Sequence, residues 1–434
     1  MSASTLPRPL SLLPLRARAA AAVRSATAPA TLALLAIAVH VADDNFLQPQ
    51  PGTSARDHLV SGLVPLAILL AAAWAYGRVR PGARAVIGLL GGVFGLVTAV
   101  EAVWYASNGG PSGDDWTGFV DIPAGLLLIV LAVVTLWRSR RRDGSRLRRI
   151  LRRGLLTVAG LAVALFVAAP TGLAYVLTHT GRPPADVDLG PTAQDVTLRT
   201  SDGLDLAAVY VPSRNGATVI AFPGRSGPQE HARMLIRHGY GVLVLDQRGQ
   251  GASEGDWDVS YAGTRDLNAA LDYLAGRPDV DPERIGGLGL SRGGELLLQA
   301  AAESDALRAV VSEGAGVRTH REGFEVEVSP LEQVLSAPFL LADTAAMTVF
   351  TNHLPPANLV NLVGEITPRP VFLIHASRPV GGEQLNPQYY EALRGPKQIW
   401  KMADTSHTDG INTQPAEYER RVVSFLDDAL LGPR

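Results

Sequence analysis

The first part of this 434-residue chain is dominated by long apolar runs, and the remainder alternates between short apolar runs and amphipathic stretches. Five of the long runs approach the roughly 20 residues that a helix needs to cross the hydrocarbon core of a bilayer. They lie at residues 25–42, 59–76, 85–105, 119–137 and 155–177. The pattern predicts an all-α transmembrane bundle of about five helices over residues 1–177. A cleavable signal peptide is the competing interpretation of the first run.

Charge divides the chain at nearly the same place as hydropathy. Residues 1–191 carry a formal charge of +8 and residues 192–434 carry −10, although the whole chain is close to neutral at −2. Arginines cluster before the first run, between the second and third, and between the fourth and fifth, where there are nine. Arginine-rich loops stay in the cytoplasm, so the chain is predicted to be a multi-pass cell-membrane protein with a cytoplasmic N-terminus and an extracytoplasmic C-terminal domain. The charge split excludes a uniformly basic nucleic-acid binder.

The composition and the polar residues of the long runs limit the chemistry further. The chain has no cysteine, which excludes disulfides, thiolate zinc sites and a cysteine nucleophile. Glu101 is an ionisable residue inside the third run, where a functional role is the default interpretation. It lies about one turn from the predicted outer end, so a snorkelling or helix-paired carboxylate explains it equally well. The bundle is therefore interpreted chiefly as an anchor.

The pattern changes beyond the Pro- and Gly-rich stretch at 178–191, which is predicted to be a linker. Amphipathic helices are predicted near 229–238, 263–275, 293–303 and 416–430. Uniformly apolar strands alternate with them, at 196–199, 206–211, 218–222, 241–246, 284–290, 307–312, 371–375 and 398–402. Such strands are typical of a mostly parallel sheet that is covered on both faces, so residues 192–434 are predicted to form one α/β domain.

One short motif stands where this architecture places its chemistry. Gly289-Leu290-Ser291-Arg292-Gly293-Gly294 lies between a predicted strand and a predicted helix. A bare GxSxG pattern is weak, but the strand–turn–helix context is what a nucleophile elbow requires. Ser291 is therefore the predicted nucleophile, in preference to an ordinary Gly-rich turn without chemistry.

A serine hydroxyl needs a general base. His407 lies in the loop between the last predicted strand and the last predicted helix, which is where the chain order Ser, acid, His requires the histidine. His231 and His238 fall on a predicted helix, where a surface role is expected. His375 ends a predicted strand and is interpreted as a packing residue.

The oxyanion of an acyl-transfer reaction needs two backbone donors. The amide of Arg292, directly after the nucleophile, is the first candidate. The second is the amide of Arg225, in the loop that follows the predicted strand 218–222. An ordinary Gly/Pro turn is the alternative interpretation of that loop.

These motifs together resemble the α/β-hydrolase superfamily, and in particular its bacterial dienelactone-hydrolase-like and serine-aminopeptidase-like members. The residues that carry the resemblance are Phe222-Pro223-Gly224, the loop Asp246–Ser253, the Ser291 elbow and His407. The loop Asp246–Ser253 matches the family's Asp-x-Arg-Gly-x-Gly-x-Ser pattern, in which the resemblance implies structural roles for the Asp, Arg and Ser. Pro223 departs from the family pattern, which usually has His at that position.

The acid of the triad is the point where this sequence departs most from the family. An Asp usually follows the strand that corresponds to 371–375, and here the loop contains none. Glu383 is its only carboxylate, and Glu can orient the imidazole as Asp does. Glu313, at the end of the strand beside the elbow strand, and Asp404, three residues before His407, are the alternatives.

The resemblance implies a serine hydrolase that cleaves an acyl ester through an acyl-enzyme intermediate, with a small-molecule or lipid-like acyl substrate. Peptidase or aminopeptidase activity on the same fold and a non-catalytic binding or sensor domain are the alternatives. No cofactor or metal is expected, since the sequence has neither a histidine pair at helical spacing nor a phosphate-binding loop. Residues 314–367 form either a lid over the site or helices that complete the fold.

Overall fold

A computed structural model describes residues 15–49, 52–108, 113, 115–138, 145–185, 187–224, 227–258, 260–326 and 329–432. The chain divides into two compact units. Met1–Gln48 and Ser61–Ala159 form the first, called here the helical unit. Pro49–Val60 and Gly160–Arg434 form the second, called here the sheet unit.

Long apolar helices cover each of the five apolar runs. They are α1 (Leu15–Ala42), α2 (Leu59–Tyr76), α3 (Pro81–Asn108), α4 (Asp115–Arg138) and α5 (Arg146–Val163), which continues through a π-helical turn (Ala164–Ala168) into α6 (Ala169–His179). A second π-helical turn (Asp43–Leu47) follows α1. Within the described ranges six helical stretches are long and apolar enough to cross a membrane, and the sixth, Pro330–Thr351, belongs to the sheet unit. The expectation of an N-terminal region built from several apolar helices is confirmed.

One end of the helical unit has a polar interior. His40 Nδ1 lies 3.1 Å from Thr117 Oγ1, and that hydroxyl donates a hydrogen bond to Asp43 Oδ2 at 2.9 Å. Thr98 donates to Asp121 Oδ2 at 2.6 Å. The buried ionisable side chains of this region are His40, Asp43, Asp44, Glu101, Asp115 and Asp121. Of these residues, the sequence by itself pointed to Glu101 alone. They form a cluster, called here the polar cluster, because the ends of α1, α3 and α4 converge.

The sheet unit contains eight strands in the order β1-β2-β4-β3-β5-β6-β7-β8. β1 pairs antiparallel with β2, β2 pairs antiparallel with β4, and all other neighbours are parallel. The strands are β1 (Gln194–Arg199), β2 (Asp205–Val211), β3 (Thr218–Phe222), β4 (Gly241–Leu245), β5 (Ile285–Leu290), β6 (Ala309–Glu313), β7 (Val371–Arg378) and β8 (Lys397–Ser406). The predicted α/β-hydrolase fold with a mostly parallel sheet is confirmed.

Helices cover both faces of this sheet, which explains why its central strands are uniformly apolar. Ile220 and Phe222 of β3 point into one buried cluster, and Val219 and Ala221 point into the other. The longer helices are α7 (Gln229–Arg237), α8 (Arg265–Ala275), α9 (Arg292–Glu303), α11 (Pro330–Thr351) and α15 (Pro415–Leu426). The shorter ones are α10 (His320–Glu325), α12 (Leu359–Leu362), α13 (Asn386–Ala392) and α14 (Gly410–Thr413). The segment between β6 and β7, the candidate lid, carries α10, α11 and α12.

Candidate active site

Ser291 occupies the sharp turn between β5 and α9. Its φ of +53° lies in a region that non-glycine residues rarely adopt, and its amide donates to the Glu313 carbonyl at 2.7 Å. Two glycines make the turn sterically feasible. A Cβ at Gly289 would lie 2.4 Å from the backbone of Gly293, and a Cβ at Gly293 would lie 2.5 Å from the Phe222 carbonyl oxygen. The strained turn presents the hydroxyl at the end of the sheet, as a nucleophile elbow does.

Three of the sequence-predicted residues come together in one hydrogen-bonded chain. His407 Nε2 lies 2.9 Å from Ser291 Oγ, and His407 Nδ1 lies 3.0 Å from Glu383 Oε2. The Ser291 and His407 side chains are partly accessible, whereas Glu383 is completely buried. A base within hydrogen-bond reach of the hydroxyl and a carboxylate on the other ring nitrogen are the arrangement that activates a serine.

The loop after β7 brings Glu383 back to the histidine. Gly381 and Gly382 both have positive φ, which turns the chain before the short 3₁₀ helix Glu383–Leu385. The Ala376 amide donates to Glu383 Oε1 at 2.7 Å and so fixes the carboxylate. The later position and the longer side chain of this Glu therefore reach the place that an earlier Asp would serve.

The two alternative acids make other contacts. Glu313 Oε1 accepts from the Gly410 amide at 3.0 Å, and its Oε2 accepts from the Tyr418 hydroxyl at 2.6 Å. Burial and the Glu313 carboxylate raise the pKa of Tyr418 well above its usual value, so the phenol remains a donor. Asp404 is exposed and its carbonyl accepts from Arg378 at 2.9 Å. Glu313 thus braces α14 and α15, the two helices that follow His407.

Of the two predicted oxyanion donors, the structure describes only Arg292. Arg292 is the first residue of α9, directly after Ser291, so its amide lies at a helix N-terminus. Arg225 lies outside the described residues. The described part of its loop does reach the nucleophile, because a Cβ at Gly224 would lie 3.1 Å from Ser291 Cβ.

Three other histidines of this unit, His231, His238 and His375, have surroundings of their own. The expectation of a surface role for His231 is wrong: its ring is buried, 3.6 Å from Glu313 Oε2 and edge-on to Tyr418. His238 is exposed and contacts Glu419 at 2.8 Å. His375 is buried, and this burial lowers its pKa. Among the residues that the structure describes, no group of three or more His, Asp or Glu is arranged to hold a metal ion.

The loop Asp246–Ser253 makes structural contacts. Asp246 Oδ1 accepts from the Ala185 amide at 2.7 Å, and Ser253 Oγ donates to the Asp246 carbonyl at 2.8 Å. Arg248 is buried and donates to Asp266 at 2.7 Å and to Asp202 at 2.9 Å. These side chains tie Ala185, the turn between β1 and β2, and the start of α8 to the loop.

One residue beside the nucleophile was not anticipated. Trp257 is 5% exposed, with the Arg182 guanidinium 4.6 Å and the Arg292 guanidinium 5.4 Å from its ring centroid. Cation–aromatic contacts of this kind are attractive. No periodicity indicates this stack, since its members are far apart in sequence and Trp257 lies in an irregular loop.

Several known proteins are similar to the part of the chain that contains this site. Residues 189–345 match the model of the X-Pro dipeptidyl-peptidase (S15) family. The chain is 35% identical to the Arabidopsis thaliana "Alpha/beta hydrolase domain-containing protein WAV2" over 155 residues, 33% of this chain and 49% of that protein, so it spans about half the length of WAV2. It is 27% identical to the "Uncharacterized protein YfhR" of Salmonella typhi over 266 residues, 56% of this chain and 85% of that one. A solved Pyrococcus furiosus esterase, Pf2001, superposes with a TM-score of 0.46 at 23% identity, covering 58% of this chain and 98% of the esterase.

Proposed function

We propose that the protein, whose sheet unit has the α/β-hydrolase fold, is a membrane-anchored serine hydrolase that cleaves an acyl ester. The observation that carries the proposal is the continuous contact from the Ser291 hydroxyl through His407 to the buried Glu383 carboxylate, at 2.9 and 3.0 Å. Apolar helices long enough to cross a bilayer support the anchor.

In the proposed mechanism Ser291 Oγ attacks the acyl carbonyl carbon while His407 Nε2 takes the hydroxyl proton. Glu383 accepts from Nδ1–H and stabilises the imidazolium that forms. The amides of Arg292 and Arg225 hold the oxyanion. His407 then returns the proton to the departing alcohol, and water hydrolyses the acyl-enzyme by the same steps in reverse roles.

We propose that the hydrolase domain is extracytoplasmic. The support is the arginine distribution: loops rich in Arg alternate with acidic loops between the five apolar runs, and nine Arg residues lie between the run 119–137 and the run 155–177. An odd number of crossings from a cytoplasmic N-terminus carries the following domain to the other side.

The serine assignment is tested with a fluorophosphonate probe on the full-length protein in membranes. The wild type should be labelled covalently and Ser291→Ala should lose the label, since only an activated hydroxyl displaces the fluoride. Ser304→Ala, which alters the residue directly after α9, is the matched control and should label normally. A wild type that no serine probe labels would instead favour a non-catalytic binding domain.

A peptidase is the second candidate, because the S15 model matches residues 189–345. p-Nitrophenyl esters of increasing chain length and Xaa-Pro p-nitroanilides separate the two activities. We expect turnover of the esters to exceed that of the anilides, and the reverse order would favour the peptidase.

A further inference from the structure

Helix α11 presents an apolar surface that the rest of the sheet unit does not cover. In the described residues after α6, six large apolar side chains are exposed, and four of them lie on this helix: Leu331, Val334, Leu335 and Leu341. Residues 330–342 contain a single charged residue, Glu332. Its carboxylate is engaged in a capping box with Ser329, which also satisfies the first amides of the helix.

Helix α11 packs on α6, which ends the last of the five N-terminal apolar runs. Ala346 and Met347 share a buried cluster with Ala174, and Phe350 lies edge-on to Tyr175 and His179 with ring centroids 5.5 Å apart. The contacts advance along both helices together, so the helices run in the same direction. Helix α11 also contacts the π-helical turn Ala164–Ala168, which precedes α6.

The surface next to α11 is itself apolar and uncovered. Ile150–His179 is one of the stretches long enough to cross a membrane. Only 6% of an apolar 18-residue part of this stretch is buried. Leu161, Leu165 and Val167 are among its exposed side chains. Helix α11 and the candidate span in contact with it therefore both carry exposed apolar side chains, and a bilayer is the environment that would cover such surfaces.

The segment between β6 and β7, which carries α11, starts beside the candidate triad. It begins at Gly314, where a Cβ would lie 2.9 Å from His407 Cε1. Further on, the His320 amide donates to Thr344 of α11 at 3.1 Å. Tyr261 belongs to the cluster that joins α11 to α6, and Trp257 a few residues earlier stacks with Arg292 beside the nucleophile.

We propose that the N-terminal half of α11 is immersed in the bilayer beside the last span, and that the substrate of Ser291 is the ester of a membrane lipid. The substrate part rests on the proposed serine-hydrolase function. Ser291 Oγ forms a bond to the lipid acyl carbon, the ester C–O bond breaks, and His407 transfers the proton to the released alcohol. Water then frees the fatty acid, so no oxidant or cofactor enters the balance.

Because the chain lacks cysteine, immersion can be measured without activity. Val334→Cys and, as control, Glu391→Cys on the exposed side of α13 are labelled with an environment-sensitive nitrobenzoxadiazole dye in the full-length protein. The protein is reconstituted in phosphatidylcholine vesicles that carry nitroxide-labelled lipids. We expect blue-shifted, strongly quenched emission at position 334 and water-like, unquenched emission at position 391. Equal, water-like emission at both positions overturns the immersion, whatever the catalytic result.

The substrate class is measured separately, with one ester chemistry presented in two ways. Val334→Asp should lower hydrolysis of a fluorogenic diacyl phospholipid in vesicles by about tenfold or more, because a charge is costly in the bilayer. Hydrolysis of p-nitrophenyl acetate and fluorophosphonate labelling should stay unchanged. Leu354→Asp, at an exposed apolar residue beyond the end of α11, is the matched control and should affect neither substrate.

The two ideas fail in different ways. Equal losses on both esters would mean that position 334 only supports the fold, and would overturn the lipid-substrate assignment. Quenching at position 334 in a protein that no serine probe labels would remove the proposed hydrolase function and the lipid substrate while leaving α11 in the bilayer.

Discussion

At the scale of single residues, the environment of each carboxylate decides its use. Glu383 is fully buried, accepts from the Ala376 amide and faces His407 Nδ1. Glu313 is equally buried, but its two oxygens are occupied by Gly410 and Tyr418. Residue type and position in the chain leave both open as the triad acid, and only their contacts distinguish them.

Replacing Glu383 with Gln should lower kcat by about 10³- to 10⁴-fold, since an amide cannot stabilise the imidazolium and favours the wrong tautomer. Ester hydrolysis with the variant and the wild type measures this loss. Glu313→Gln is the control. It should lower the melting temperature and leave kcat close to the wild-type value. Near-normal turnover of Glu383→Gln together with loss of activity in Glu313→Gln would identify Glu313 as the triad acid.

At the scale of elements, the elbow depends on how closely β5, α9 and the loop after β3 approach one another. Gly293 lies where a Cβ would meet the Phe222 carbonyl oxygen at 2.5 Å, which is closer than real Cβ contacts allow. The backbone of one of these elements must therefore move if any side chain is introduced. Strain at Ser291 persists because the surrounding elements hold the turn in place.

Gly293→Ala should lower the free energy of unfolding by about 1–3 kcal/mol, as overpacking does, and should reduce fluorophosphonate labelling because Ser291 is displaced. Thermal unfolding of the detergent-solubilised protein and the labelling rate measure the two effects. Gly276→Ala is the control, since its Cβ would meet nothing closer than 3.6 Å. Equal melting temperatures and labelling rates for the two variants would contradict the steric argument.

At the scale of the whole molecule, the near-neutral charge conceals two opposite halves. The +8 of residues 1–191 is largely arginine in loops predicted to be cytoplasmic, and the −10 belongs to residues 192–434. The polar cluster around His40 and Asp121 adds a feature that the hydropathy profile does not contain. Such groups rarely lie within spans without polar partners, and here threonines from neighbouring helices supply them.

The proposed topology is tested with single cysteines and a membrane-impermeant maleimide on intact cells. Glu391→Cys should react at once, whereas Gly77→Cys, next to the Arg78 loop, should react only after permeabilisation. A Cβ at Gly77 meets nothing within 4 Å, so the variant is expected to fold. The opposite labelling pattern would place the hydrolase domain in the cytoplasm.

Much of this architecture is local and is therefore legible in the sequence. The strands of the sheet fall close to their predicted bounds, and the central strands β3, β4 and β5 are the clearest because two-sided burial makes each of them a continuous apolar run. The elbow is identifiable because its glycines and serine are close neighbours in the sequence, directly between a strand and a helix. His407 follows from the order of elements rather than from any contact.

Only the tertiary structure determined the contacts between residues that are far apart in the chain. These are the pairing of Glu383 with His407 across 24 positions, the burial of His231 against Glu313, and the packing of α11 on α6. The polar cluster of the helical unit is of the same kind, since three helices each contribute part of it. Periodicity reports which face of an element is buried, but which side chains meet there depends on how loops return the chain, and that is determined by the packing of the whole fold.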